Sequence, residues 1–230
     1  MAVAVAVAWG APVEAEPAAP APAPVAVAGA APEPFVVCIQ PLGEHDPAAV
    51  PVVSRGIEHV YGAVTRALPP RPLPAMAWYP PRRRWRGERL LDHMKAEVLP
   101  DSGCSAIVGL TAVDISVTRD PEHYDWGVLG VAYLDDHVAV ISSFRARRGV
   151  GRAATARRLV KVANHELGHV LGMPHGGAPG CIMNDAGGSV RTVDRERGTL
   201  CPDERAAVEK KLGGLVPARD AIDWRLVLGP

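Results

Sequence analysis

At 230 residues the chain is long enough for one domain with a full core or two small ones, and its 48% hydrophobic residues can fill that core. Its 25 Lys+Arg balance 25 Asp+Glu, so no overall charge draws it toward nucleic acid or an anionic membrane. No stretch reaches the roughly 18 uninterrupted apolar residues of a spanning helix. Four cysteines are too few for a disulfide scaffold, yet enough for one bridge or part of a metal site.

Residues 1–34 are nearly all Ala, Val, Pro or Gly, with Glu14, Glu16 and Glu33 as the only charges, and read as an unstructured, partly polyproline-like leader. Ala2 to Trp9 is apolar like a short signal core, but no Lys or Arg precedes it. The cytoplasm is therefore favoured over export, which stays open if the true start lies upstream. Phe35 to Ile39 reads as a buried strand ended by Pro41 and Gly43. Val53, Ile57, Val60, Tyr61, Val64 and Leu68 recur at helical spacing, which predicts a helix running until Pro69-Pro70 stops it. Leu73 to Tyr79 is expected as a second strand, Leu90, Leu91, Met94 and Val98 line a second helix, and Ala106 to Leu110 form a third strand. Val128 to Tyr133 and Val138 to Ser142 flank Asp135-Asp136 as a hairpin.

Residues 165–175 read His-Glu-Leu-Gly-His-Val-Leu-Gly-Met-Pro-His, which is HExxHxxGxxH without a gap. At 100° per residue His165 and His169 project from one helix face a turn apart, so both imidazoles reach one metal ion. Glu166 sits beside that face, where a carboxylate can take a proton from water on the metal. Gly172 can adopt the positive φ that ends a helix, so that His175 swings back as the third ligand. Three neutral imidazoles with one open position describe a catalytic zinc site rather than a closed structural one. Ala156, Leu159, Ala163, Leu167, Val170 and Leu171 fall on the opposite arc of the same helix, with Arg157, Lys161 and Asn164 on the flank.

With these residues the chain resembles the metzincin metallopeptidases, and within that clan the archaemetzincins. The archaemetzincin pattern is HExxHxxGxxH-C-x4-C-x-M-x17-C-x-x-C, in which four cysteines hold a second, structural zinc and the methionine forms the Met-turn. Cys181-Ile182-Met183 matches the C-x-M, and Cys201 follows at the expected spacing. Gly176 and Glu204 stand where the first and last cysteines belong. The resemblance spans residues 35 to about 214, including Pro41-Leu42-Gly43, Arg82 to Trp85, Gly130-Val131-Ala132, Arg145, Arg158 and Lys161. It divides the chain into a leader, a catalytic domain over 35–214 and a tail over 215–230, whose Ile222, Trp224, Leu226 and Leu228 are too apolar to be fully solvated.

The resemblance implies an α/β (α+β) fold: a compact domain with a twisted mixed sheet, the active-site helix and two further helices packed on it. It implies a zinc-dependent peptidase, with substrate extended along a strand to which Gly127 to Tyr133 is similar, and Met183 as the floor beneath the histidines. Glu166 would accept the proton of the attacking water and pass it to the leaving amine. No tyrosine follows Tyr133, so oxyanion stabilisation would rest on zinc and backbone donors. Cys181 and Cys201 are at most the remnant of the second zinc site, and one zinc per chain is expected; the two thiols would form a disulfide in an oxidising compartment and stay free in a reducing one. The competing class is a zinc-bearing peptide-binding module with little turnover, against which Glu166 argues. The expected partner is a peptide or protein substrate, with no nucleic acid and no membrane span, for a chain acting as a monomer. Arg82, Arg83, Arg84, Arg86 and Arg89 around Trp85 are read as solvated or structural.

Overall fold

The structure, a computed structural model, describes residues 34–176 and 178–229, so the leader lies outside the described residues apart from Pro34. β1 (Val36–Pro41) is followed by α1 (Ala49–Tyr61), which buries Val52, Val53, Ile57 and Val60 along one face. The helix expected to continue to Leu68 stops seven residues sooner. Gly62 takes the left-handed conformation (φ 67°) and its N–H caps the helix on the Glu58 carbonyl at 2.9 Å. The chain then runs as β2 (Val64–Ala67), an edge strand paired with β1. The strand expected from Leu73 to Tyr79 shrinks to a 3-10 turn, Ala75–Ala77, and the two-residue β3 (Trp78–Tyr79).

β4 (Arg84–Arg86), α2 (Gly87–Glu97), the single turn α3 (Leu99–Ser102) and β5 (Ala106–Thr111) come next, then β6 (Ile115–Val117) and β7 (Trp126–Val128). β8 (Gly130–Ala132) and β9 (Val138–Ser142) form the hairpin around Asp135-Asp136. The helical remainder is α4 (Ser143–Ala146), α5 (Arg152–Val170), α6 (Val190–Arg195), α7 (Pro202–Leu212) and α8 (Trp224–Leu228).

The near-continuous apolar runs become the middle of a five-stranded sheet, ordered β2-β1-β5-β9-β8, parallel except for β8. Such runs belong in strands covered on both faces. Val37, Ile39, Val108 and Ile141 point to a core shared with α1 and α5, while Cys38, Ile107, Val138 and Val140 point to a second core shared with α2. Leu159, Val160, Ala163 and Leu167 of α5 are buried to within 2% of completely, and truncating Leu167 to Ala would cost about 2–5 kcal/mol. In the tail, Ile222 and Val227 are buried, and Arg55 of α1 donates to the Val227 carbonyl at 2.8 Å.

A second sheet, ordered β3-β4-β6-β7, absorbs the arginine cluster. Arg84 reaches Asp114 (2.9 Å) and Asp125 (2.7 Å), and Arg145 reaches the other oxygen of Asp114 at 2.8 Å. All four cysteines are paired: Cys38 with Cys104, tying β1 to the approach to β5, and Cys181 with Cys201. No helix among the described residues is long and apolar enough to cross a membrane.

Candidate active site

The C-terminal half of α5 carries His165, Glu166 and His169. After Val170 the chain turns at Gly172, whose φ of +89° disfavours any residue with a Cβ, and whose N–H donates to the His169 carbonyl at 2.9 Å. The Met173 N–H closes the turn on the Gly168 carbonyl at 3.0 Å. This reversal brings His175 back over the helix. Its Nε2 lies 3.2 Å from Nε2 of His165 and 3.0 Å from Nε2 of His169.

The opposite ring nitrogens explain why those three atoms face one another. Nδ1 of His165 donates to the Ile182 carbonyl (2.6 Å) and Nδ1 of His169 to the Met173 carbonyl (2.8 Å). Each bond places the ring proton on Nδ1 and leaves a lone pair on Nε2. Burial, aided by the neighbouring imidazoles, lowers the His165 pKa to about 4, and burial lowers that of His169 as well. Neutral imidazoles with converging lone pairs repel one another unless a cation lies between them. Ligands at about 2.0–2.1 Å around a tetrahedral zinc stand about 3.3 Å apart, close to the spacing observed, so the three histidines fit that ion.

Glu166 is only 6% exposed, and burial raises its pKa to about 8. β8 lies directly over it. A Cβ on Gly130 would fall 2.6 Å from Oε1 of Glu166 and 2.8 Å from Cγ1 of Val162, so only glycine lets the strand come so near the carboxylate. β8 is also the open edge of its sheet. Beside it, a cavity of about 130 Å³ opens between Val128, Leu129 and Gly130 on one wall and Ala186 to Gly188 on the other, with Glu166, Lys161 and Glu196 inside.

Met183 is 1% exposed and lies against α5 at Gly168, beneath the imidazoles. The segment that carries it is held by Glu204, whose carboxylate accepts from the N–H groups of Ile182 (3.3 Å), Met183 (3.0 Å) and Cys201 (2.8 Å). Cys181 and Cys201 are spent on each other, and a disulfide has no thiolate to offer a metal. Asn164, expected on the flank of α5 either solvated or supporting the site, is fully buried: its carbonyl accepts from the Tyr61 hydroxyl at 2.5 Å and its side chain donates to the Gly198 carbonyl at 3.4 Å.

Sequence reasoning missed the backbone carbonyls that orient the rings, for which no side-chain signal exists. It also missed the part played by Glu204, although Cys201-Pro202-x-Glu204 carries the mark of a helix start, with Pro at the first position and Glu at the third.

Comparison with known proteins assigns the family. The description Peptidase family M54 applies to residues 87–210, more than half of the chain. The archaemetzincin of Haloarcula marismortui is 30% identical over 174 residues, covering 72% of this chain and 94% of that protein. The archaemetzincin of Thermococcus kodakarensis is 33% identical over 135 residues, 55% of this chain and 67% of that protein. The crystal structure of archaemetzincin from Archaeoglobus fulgidus, complexed with malonate, superposes with a TM-score of 0.63 at 27% identity over 75% of this chain and 99% of that one. The Methanopyrus kandleri archaemetzincin shares the fold, with a TM-score of 0.68 at 22% identity over 78% of this chain and 96% of that one. The chain belongs to the archaemetzincins, peptidase family M54, and is a zinc metallopeptidase.

Proposed function

We propose that the chain hydrolyses peptide bonds at this centre, with His165, His169 and His175 as zinc ligands, Glu166 as general base and residues 35–214 as the catalytic unit. The observation that carries the reading is the convergence of three imidazoles, with Nε2 of His175 3.2 Å from that of His165 and 3.0 Å from that of His169 and all three ligand atoms within 4.8 Å of one another, beside a buried carboxylate. Zinc held there supplies Lewis-acid polarisation of the scissile carbonyl and acidifies the attacking water.

The remaining work belongs to the chain. An extended peptide pairs its backbone with the free edge of β8, which sets the scissile carbonyl over the imidazoles. Burial alone favours the protonated form of Glu166, and a cation held by the adjacent imidazoles would restore the carboxylate. That carboxylate takes the proton of the attacking water and delivers it to the leaving amine, so it is regenerated in each cycle. The Ile182 and Met173 carbonyls keep His165 and His169 in the required tautomer throughout. Gly130 and Val162 crowd Glu166 and leave it only 6% exposed.

Glu166→Gln tests the assignment. It should retain one zinc per chain while hydrolysis of a mixed peptide pool falls by about two orders of magnitude or more. His165→Ala, His169→Ala and His175→Ala should instead weaken zinc binding itself. Wild-type turnover in Glu166→Gln, or no turnover in the zinc-loaded parent, would overturn the reading.

A further inference from the structure

The cavity beside Glu166 does not end the cleft. Gly188 lines it and also lines a second cavity of about 390 Å³, walled by Arg145, Arg148, Ser189, Val190 and Arg191. The opposite wall is continuous as well. Val128 borders the first cavity, and the next residue of β7, Gly127, lies against the guanidinium of Arg145. Gly127 stands three residues before Gly130, across a bend at Leu129, so the two lie at most about 10 Å apart. A peptide extended past Glu166 therefore reaches the second cavity within about three residues of the scissile bond.

The charge changes along this path. Around the bond stand the carboxyl groups of Glu166, Asp185 and Glu196 with a single ammonium, Lys161. The second cavity presents three guanidinium groups and no acid. Arg145 is fixed by Asp114, through bonds of 2.8 and 3.2 Å. Arg148 and Arg191 are exposed, and neither makes an ion pair among the described residues. Asp194, three residues after Arg191 in the chain, is held by Arg158 at 2.7 Å. In a chain with no net charge, two unpaired arginines flanking the cleft leave a local positive field at its end.

We infer that this basic cavity is a substrate subsite for a carboxylate, so that the peptidase selects peptides bearing an acidic side chain or a free C-terminus within about three residues of the bond it cleaves. Guanidinium groups suit this task because their N–H donors match both oxygens of a carboxylate. The inference rests on the peptidase assignment above, and its test separates the two.

The zinc-loaded protein is given neutral, C-terminally amidated peptides in which one Glu is moved stepwise through the positions around a single cleavage site, each paired with a Gln control. A second set ends at each position as the free acid or the amide. At one position the Glu/Gln or the acid/amide ratio in kcat/KM should reach about tenfold, and it should shrink as ionic strength rises to about 0.5 M. In the double charge reversal Arg148→Glu with Arg191→Glu the ratio should fall to one or below, with Lys now preferred there over Gln. The same peptides, dye-labelled, are titrated into zinc-loaded Glu166→Gln protein and followed by fluorescence anisotropy, which reads the subsite without turnover. Ratios near one at every position in both assays, or a preference that survives the charge reversal, would overturn the subsite. Failure of all cleavage with a retained Glu preference in binding would overturn only the catalytic assignment.

Discussion

The carboxylate of Glu204 accepts the backbone N–H of Met183 at 3.0 Å, across 21 residues of sequence. The same carboxylate holds Ile182, whose carbonyl in turn orients His165 at 2.6 Å. A residue at a position where the archaemetzincin pattern has cysteine thus fastens the floor of the site by hydrogen bonds.

Removing that carboxylate should loosen the floor. Glu204→Ala leaves the N–H groups of Ile182, Met183 and Cys201 without their acceptor, at a cost of about 2–3 kcal/mol in denaturant unfolding. Because the ring of His165 depends on Ile182, zinc affinity should fall by about 10- to 100-fold in competition with a chelator. Glu204→Gln, which keeps one acceptor oxygen, should lie between. Unchanged zinc affinity in both variants would show that the floor holds without Glu204.

The Cys181–Cys201 bond closes a loop of 20 residues and should add roughly 3 kcal/mol in the chain-entropy model. Cys181→Ser should lower stability by about that amount while leaving one zinc per chain. Metal analysis with thiol titration checks it: two zinc ions in the parent, with the second lost in Cys181→Ser, would mean that these sulfurs ligate metal instead.

Gly130→Ala probes the approach of β8 to Glu166. The new methyl group meets Oε1 at 2.6 Å and Cγ1 of Val162 at 2.8 Å, so either the carboxylate or the strand must move. A fall in kcat of about tenfold or more with full zinc content is expected, since a misplacement of about 1 Å can cost 100-fold. Wild-type kcat would show that Glu166 tolerates displacement.

The Arg158–Asp194 pair makes stability depend on pH in a defined direction. The Arg158 hydrogen bond lowers the Asp194 pKa below the usual carboxylate value, so its stabilisation is present above about pH 4 and is lost as pH falls through the lowered folded pKa. Asp194→Asn should therefore lower the melting temperature at neutral pH, and its difference from the parent should vanish in acid. A difference that stays constant down to about pH 2 would contradict this.

How far the sequence could be read depended on the range of the interactions involved. The histidine cluster of 165–175 was legible because its spacing alone decides it: one helical turn separates His165 from His169, and Gly172 supplies the reversal for His175. The central strands were legible because burial on both faces demands unbroken apolar runs. The end of α1 was not, because Val64 and Leu68 continue its helical period, and the pairing of Val64 with Val36 across the sheet overrides it. For Arg84-Trp85-Arg86 the sequence left a solvated or a structural role open, and the structure favours the second by bringing Asp114 and Asp125, 30 and 41 residues away, to Arg84 as partners. The partners of Cys38 and Glu204 were equally out of reach. By itself the sequence determined the family and pointed to the proposed ligand set and the adjacent carboxylate, because these are carried by local spacing. Only the tertiary structure decided which carbonyls orient the imidazoles, how closely β8 covers Glu166 and what lies at the far end of the cleft, because those depend on segments that meet only when the sheet is closed.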